Sequence, residues 1–157
     1  NASIQGVAAI LRAEARRRDV TVDYDLQAVR ADVTGDPVQV QQVIINLMLN
    51  AFDASAELAE ERRRVRVETR DTANGVQVGV RDFGIGIPVA DLPRVFDSFF
   101  STKRSGMGLG LAIARSIVEA HDGTISAASC DPGAEFRFIL PPAAPADAAG
   151  PSPTATP

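Results

Sequence analysis

The chain has 157 residues, enough for one domain with a core of its own and no need of disulfide or metal staples. Apolar residues make up 45% and charged residues 23%, the values of an ordinary globular domain rather than of a disordered or collagenous chain. The net charge of −4 disfavours a broad nucleic-acid-binding surface, and the single cysteine excludes an internal disulfide and fits a reducing compartment.

Ile4, Val7, Ala8, Leu11 and Ala15 recur at helical spacing, so a first amphipathic helix is expected over Ser3–Arg17, with Ser3 as its cap. A helix at the very start gives the chain the look of a piece of a longer protein. Val20-Thr21-Val22-Asp23-Tyr24 alternates as a strand, and a short extended segment is expected near Val29–Val33. Gly35-Asp36-Pro37 is a helix start, with Asp as N-cap and Pro at the first helical position. That helix should run to about Ala56. Val65–Thr69 and Val76–Val80 read as strands joined in a hairpin through Asn74-Gly75.

A loop-rich stretch spans Asp82 to Gly108, followed by a helix over Leu109–Ala120 and strands over Gly123–Ser129 and Glu135–Leu140. Cys130 is expected as a small strand residue, and the runs Arg16-Arg17-Arg18 and Arg62-Arg63-Arg64 as solvated element ends. A folded domain is thus expected over residues 1–141. The Pro/Ala-rich remainder, 142–157, buries too little apolar surface to order itself. The element order predicts an α+β two-layer sandwich with helices on one face of a mixed, mostly antiparallel sheet. No apolar run approaches the roughly 18 residues of a membrane span, and no signal peptide opens the chain.

The second helix carries the most informative pattern. Between Asn46 and Asn50 it is almost wholly apolar, yet Gln42, Asn46, Asn50 and Asp53 fall along one narrow stripe at three- and four-residue spacing. Amides and a carboxylate lined up in a core are costly unless a polar ligand satisfies them. Downstream, Asp82-Phe83-Gly84-Ile85-Gly86-Ile87-Pro88 follows a strand. There glycine permits close approach of backbone to a ligand, and a strand-end carboxylate can accept from an exocyclic amine. A plain turn closed by Pro88 is the alternative.

Ser105-Gly106-Met107-Gly108-Leu109-Gly110-Leu111 opens the third helix, where exposed amides and the positive dipole end suit phosphate. It is not a P-loop, since no Lys-Ser/Thr pair follows the last glycine. The strand and ribose-binding acid of a dinucleotide fingerprint are missing too. Asp82-Phe83-Gly84 spells a protein-kinase triplet without the companion motifs that reading needs. Between the two glycine segments, Phe96, Phe99 and Phe100 could anchor a mobile segment while Lys103 reaches a phosphate. Ordinary core packing and a solvated charge are the alternatives.

These four pieces, in this order, resemble the N box, first glycine box, F box and second glycine box of sensor histidine kinases. Those kinases belong to the superfamily that includes DNA gyrase, the heat-shock chaperone of the same ATP fold and mismatch-repair ATPases. Phe99-Phe100-Ser101-Thr102-Lys103 with Gly106-Met107-Gly108-Leu109-Gly110-Leu111 is most similar to the short-lid kinases related to oxygen-sensing and nitrogen-regulatory sensors. The resemblance covers about Asn1–Pro141 and implies a Bergerat-type ATP-binding fold.

It also implies Mg-ATP binding and transfer of the γ-phosphoryl group to a histidine on a separate dimerisation hairpin, for relay to a response-regulator aspartate. By the resemblance Asn50 is the magnesium ligand, Asn46 lies beside the phosphates, and Asp82 reads the adenine amine, with Gly84 and Gly86 shaping the pocket. Lys103 and the backbone of Gly106, Gly108 and Gly110 hold the β- and γ-phosphates. Asp53, Ile87, Thr102 and Leu109 complete the nucleotide site, and Asn46, Asn50 and Lys103 are its catalytic members.

Hydrolytic relatives carry a glutamate at the position of Asn46. An amide cannot serve as general base, so transfer is favoured over hydrolysis. An ATPase using closure as a switch and a degenerate scaffold domain remain the alternatives. The partners implied are the acceptor hairpin outside this chain and a receiver domain, in a homodimeric parent, with this domain cytoplasmic and monomeric alone. His121, the one histidine, ends the third helix and should interact with its C-terminus rather than accept phosphate. Two positions depart from the pattern. Ser98 stands where proline is common, and Glu135 where threonine is usual, pointing either at the pocket or at solvent.

Overall fold

Helix α1 (Ala2–Arg17) turns Ile4, Val7, Leu11 and Ala15 inward at the spacing of one helical face. Ser3 lies inside its first turn and does not cap it. Asn1 precedes the helix, and its carboxamide is engaged elsewhere: Nδ2 donates to the Ala28 carbonyl at 3.0 Å, and Oδ1 accepts from the Thr69 hydroxyl at 2.9 Å. A tertiary tie to the sheet has displaced the local cap.

The structure, a computed structural model, describes residues 1–29, 33, 35–56, 58–101 and 108–143. Five strands form one sheet: β1 (Thr21–Leu26), β2 (Arg64–Thr72), β3 (Gly75–Asp82), β4 (Thr124–Ser129) and β5 (Ala134–Leu140). Their order is β1-β2-β3-β5-β4. β1 runs parallel to β2, which requires a crossover, and helix α2 (Pro37–Ser55) supplies it. All other pairs are antiparallel. The β2–β3 hairpin forms, but one position earlier than the expected Asn74-Gly75 connection: Thr72 pairs with Gly75, so Ala73 and Asn74 make the turn and Gly75 opens β3. Helix α3 (Gly110–Ala120) packs on α2 and on β4 and β5.

Alternation decides the two faces of the sheet. Val65, Val67, Val78, Val80, Phe136 and Phe138 point at the helices and close the core with Ile44, Leu47, Met48 and Phe52 of α2. This is the α+β sandwich that the element order implies. The opposite face carries charge, with Arg64 paired to Asp23 at 2.6 Å and Arg70 to Asp25 at 2.5 Å. Glu135 belongs to this far face, neither at the pocket nor in open solvent. It is buried, bonded to Arg137 at 2.5 Å, and lies over Gly79, where a Cβ would come within 3.3 Å of its Oε1.

Cys130 is not in a strand. It opens the turn between β4 and β5, and its amide donates to the Gly133 carbonyl at 2.7 Å. Of the expected extended segment, Val33 bridges to Pro142, while residues 30–32 lie outside the described residues. So do residues 144–157 of the expected tail. Among the described residues no helix is long and apolar enough to cross a membrane.

Asp36 caps α2 as its sequence context dictates, its side chain accepting from the amides of Val38 and Gln39. Replacing a capping carboxylate by a methyl leaves those donors unsatisfied, so Asp36→Ala should lower stability by about 1 kcal/mol in urea titrations.

Candidate functional site

Helix α2 has one face in the core and one on a cavity. Val43, Ile44, Leu47, Met48, Ala51 and Phe52 are buried, while Asn46 and Asn50 are half-buried and Gln42 and Asp53 exposed. The polar stripe therefore does not sit inside the core, as its apolar surroundings suggest. It forms one wall of a cavity of about 350 Å³. Asn46, Leu49, Asn50 and Asp53 contribute that wall, Gly86, Ile87, Pro88 and Asp91 another, and Gly108, Leu109, Gly110 and Leu111 a third. Phe136 reaches it from the sheet, and Val95, Phe100 and Ser101 close the remainder.

Most residues singled out by sequence thus meet at one place. Asp82 and Gly84 are not among the residues that line it. Asp82 ends β3 in the inward row of Val76, Val78 and Val80, and only 2% of it is exposed. A carboxylate so buried needs donors. Its Oδ1 accepts from the Gly84 amide at 2.9 Å and the Ala134 amide at 3.3 Å. Gly133 makes the second contact possible. It holds φ at +94, and a Cβ there would fall 2.0 Å from the Asp82 carbonyl oxygen. Thr102, Lys103 and Gly106 lie outside the described residues.

The third wall is a helix start. Leu109 precedes α3 with no side-chain cap, so the first-turn amides and the positive dipole end open where Gly110 and Leu111 meet the cavity. Gly108 holds φ at +65 against the Phe99–Phe100 backbone, where any side chain would come within 2.6 Å. Its carbonyl accepts from the Phe99 amide at 3.0 Å, so the two ends of the segment between them meet. The three phenylalanines do not share one role. Phe96 packs edge-on to Phe136 with centroids 6.1 Å apart, and Phe100 lies under the Arg94 guanidinium at 4.9 Å. Phe99 is 78% exposed and anchors nothing.

The polar groups of α2 are already tied to their surroundings. Asn46 Nδ2 donates to the Gly110 carbonyl at 3.1 Å, and its Oδ1 accepts from Gln42 at 2.9 Å. The amide therefore braces α2 against the start of α3. At the other end of α3, His121 Nδ1 lies 2.7 Å from the Ile117 carbonyl, and Nε2 accepts from the Asp36 amide at 3.0 Å. Nε2 thus ties the end of α3 to the start of α2, while Nδ1 bonds within α3 itself, at the helix end where the sequence places this residue.

Asp53 pairs with Arg18, which also bonds Glu14 at 2.5 Å. The first basic run is therefore not merely solvated; Arg18 links the end of α1 to the cavity wall. Sequence reasoning missed Asp91, Leu49, Val95 and Phe136 as lining residues. The inward parity of β5 marks Phe136, whereas no motif marks Asp91.

Residues 35–144 match the family described as histidine kinase-, DNA gyrase B-, and HSP90-like ATPase. The chain is similar to the sensor protein FixL of Bradyrhizobium diazoefficiens, at 40% identity over 141 residues that make up 89% of this chain and 28% of that protein. Among solved structures it resembles the catalytic domain of the histidine kinase ThkA in a nucleotide-free form. The TM-score is 0.80 at 30% identity, over 90% of this chain and 91% of that one. ThkA in complex with the response regulator protein TrrA aligns with a TM-score of 0.77 at 28% identity, over 90% of this chain and 40% of that one.

Hydrogen bonds from Arg17 and then Arg18 hold the Glu14 carboxyl down to about 2, from an ordinary 4.5. A carboxyl depressed in the folded state contributes stability above its unfolded value and loses it as pH falls toward its folded value. Stability measured by urea titration at successive pH values should therefore decline between pH 4.5 and about 2. Glu14→Gln should flatten that part of the profile.

Proposed function

The chain belongs to the histidine kinase-, DNA gyrase B-, and HSP90-like ATPase family. From that membership we propose that it binds Mg-ATP and transfers the γ-phosphoryl group to a histidine on a dimerisation hairpin outside this chain. The phosphoryl group then passes to a response-regulator aspartate. The observation that carries this reading is the meeting of Asn46 and Asn50 with the α3 N-terminus across one cavity. A carboxamide face opposite a helix start suits a polyanion and its counter-cation.

The residues divide the ligand between them. Asp82, held by two backbone amides, takes the exocyclic amine of adenine. Ile87 and Leu49 cover the faces of the base, with Gly84 and Gly86 shaping its pocket and Asp53 and Leu109 on the surrounding wall. The amides opening α3, at Gly108 and Gly110, receive the phosphates, joined by Thr102, Lys103 and Gly106. The Asn50 side-chain oxygen is a hard, neutral donor of the kind Mg²⁺ accepts beside phosphate oxygens. That ion supplies charge neutralisation on the triphosphate.

Transfer breaks the bond from the γ-phosphorus to its bridging oxygen and forms one to a ring nitrogen of the acceptor imidazole, which gives up its proton. Positioning is the main demand of such a step. Asn46 serves it by fixing α2 to Gly110. As an amide already bonded on both sides, it offers a water molecule no base, which favours transfer over hydrolysis. The likeness to ThkA bound to a response regulator supports a receiver-domain partner. We place the domain in the cytoplasm, where ATP and receiver domains meet, within a homodimeric parent.

Mg-ATP at about 100 times its dissociation constant should stabilise the chain by roughly 2.7 kcal/mol, raising its melting temperature by roughly 5–10 °C. Asn50→Ala should remove the magnesium-dependent part of that shift. Labelled phosphate should reach a histidine only when an acceptor hairpin is added. Steady phosphate release by the chain alone, lost in Asn50→Ala, would instead make it an ATPase.

A further inference from the structure

Asp91 is an acid on the cavity wall that neither the motifs nor the proposed binding set use. It stands just before the short 3-10 turn Leu92–Arg94, where an aspartate ordinarily turns its carboxylate back onto the following amides. Here it makes no such bond. Backbone groups hold the residue instead. Its amide donates to the Pro88 carbonyl at 2.8 Å, and its own carbonyl accepts from Arg94 at 2.9 Å. Arg94, the nearest cation in sequence, is directed to Asp97 at 3.8 Å and over the ring of Phe100. Among the described residues the Asp91 side chain has no hydrogen-bond or ion-pair partner, although the residue is half-buried and its main chain is fixed.

We propose that Asp91 reads the ribose hydroxyls of the bound nucleotide. This rests on the nucleotide reading of the cavity and adds to it a determinant of sugar specificity. Charge eliminates the other parts of the ligand. A carboxylate is repelled by phosphates, which are drawn to the amides around Gly110 on another wall. The adenine amine is matched to Asp82, and the faces of the base to apolar side chains. The two hydroxyls are the remaining donors, and a carboxylate accepts a vicinal pair in charge-assisted bonds. Asp91 shares its wall with Ile87 and Pro88 from the first glycine segment, the wall assigned to the nucleoside end.

Isothermal titration of the chain with ATP and with 2′,3′-dideoxy-ATP, both with magnesium, tests this. The wild-type chain should bind ATP about tenfold more tightly, the worth of one charge-assisted hydrogen bond. In Asp91→Ala the two should bind within about twofold of each other, through weaker ATP binding and undiminished binding of the dideoxy analogue. Asp91→Asn, which keeps the shape and one acceptor, should fall between them and guards against misfolding of the alanine variant. A gap as wide in both variants as in the wild type overturns the inference and leaves the nucleotide reading standing. Equal loss of both ligands, restored by raising magnesium, would make Asp91 a metal ligand and likewise overturn it. Failure of the wild type to bind any nucleotide overturns both together.

Discussion

Helix α2 must satisfy two environments at once, and this constraint organises the molecule. Its apolar side chains fill the space over β2 and β3, while its carboxamides stand at the edge of that packing. A rotation of one residue, about 100°, would bring Asn46 and Asn50 under the sheet and expel leucine or methionine to water. Burying two unpaired amides costs several kcal/mol, and exposing large apolar side chains adds a similar amount. The core therefore fixes the angle at which the amides meet the cavity. Site and fold share one helix, and neither can be adjusted alone.

The same economy governs the end of β3. A row of inward valines finishes in Asp82, so the strand that builds the core also carries a buried carboxylate to the start of the first glycine segment. Two backbone amides make its burial tolerable, and one of them comes from Ala134 across the sheet. That bond needs the β4–β5 turn to approach closely, which Gly133 permits. A residue far along the chain from the first glycine segment is thereby part of its chemistry.

Periodic and paired features were legible in the sequence. The Asp36 cap, the hairpin, the inward face of α1 and the asparagine stripe all follow from spacing, because they depend on neighbours within a few positions. The exceptions have tertiary causes. Asn1 gives up a local cap to stitch the chain end to Ala28 and Thr69, leaving Ser3 as an ordinary helical residue. Phe99 reads as an anchor by composition, yet its backbone is turned by the bond to Gly108 and its ring faces water. Asp91 carries no motif because its place on the wall is set by how the chain folds back at Pro88. Glu135 could have been assigned by parity alone, since a strand that buries Phe136 and Phe138 must turn its alternate residues to the other face.

Helices α2 and α3 are joined twice, by Asn46 to Gly110 and by His121 to Asp36. From Asp36 to Asn46 α2 rises about 15 Å and α3 about 16 Å over its length, so the two joints sit at the two ends of α3, against the start and the middle of α2. Two pins on a pair of rods remove both sliding and swivel. A push on the outer side of α3 is then shared across the whole plate instead of opening a hinge beside Gly110. In mechanical terms, α3 and the first half of α2 form one plate, and to slide or turn one on the other is to break a joint.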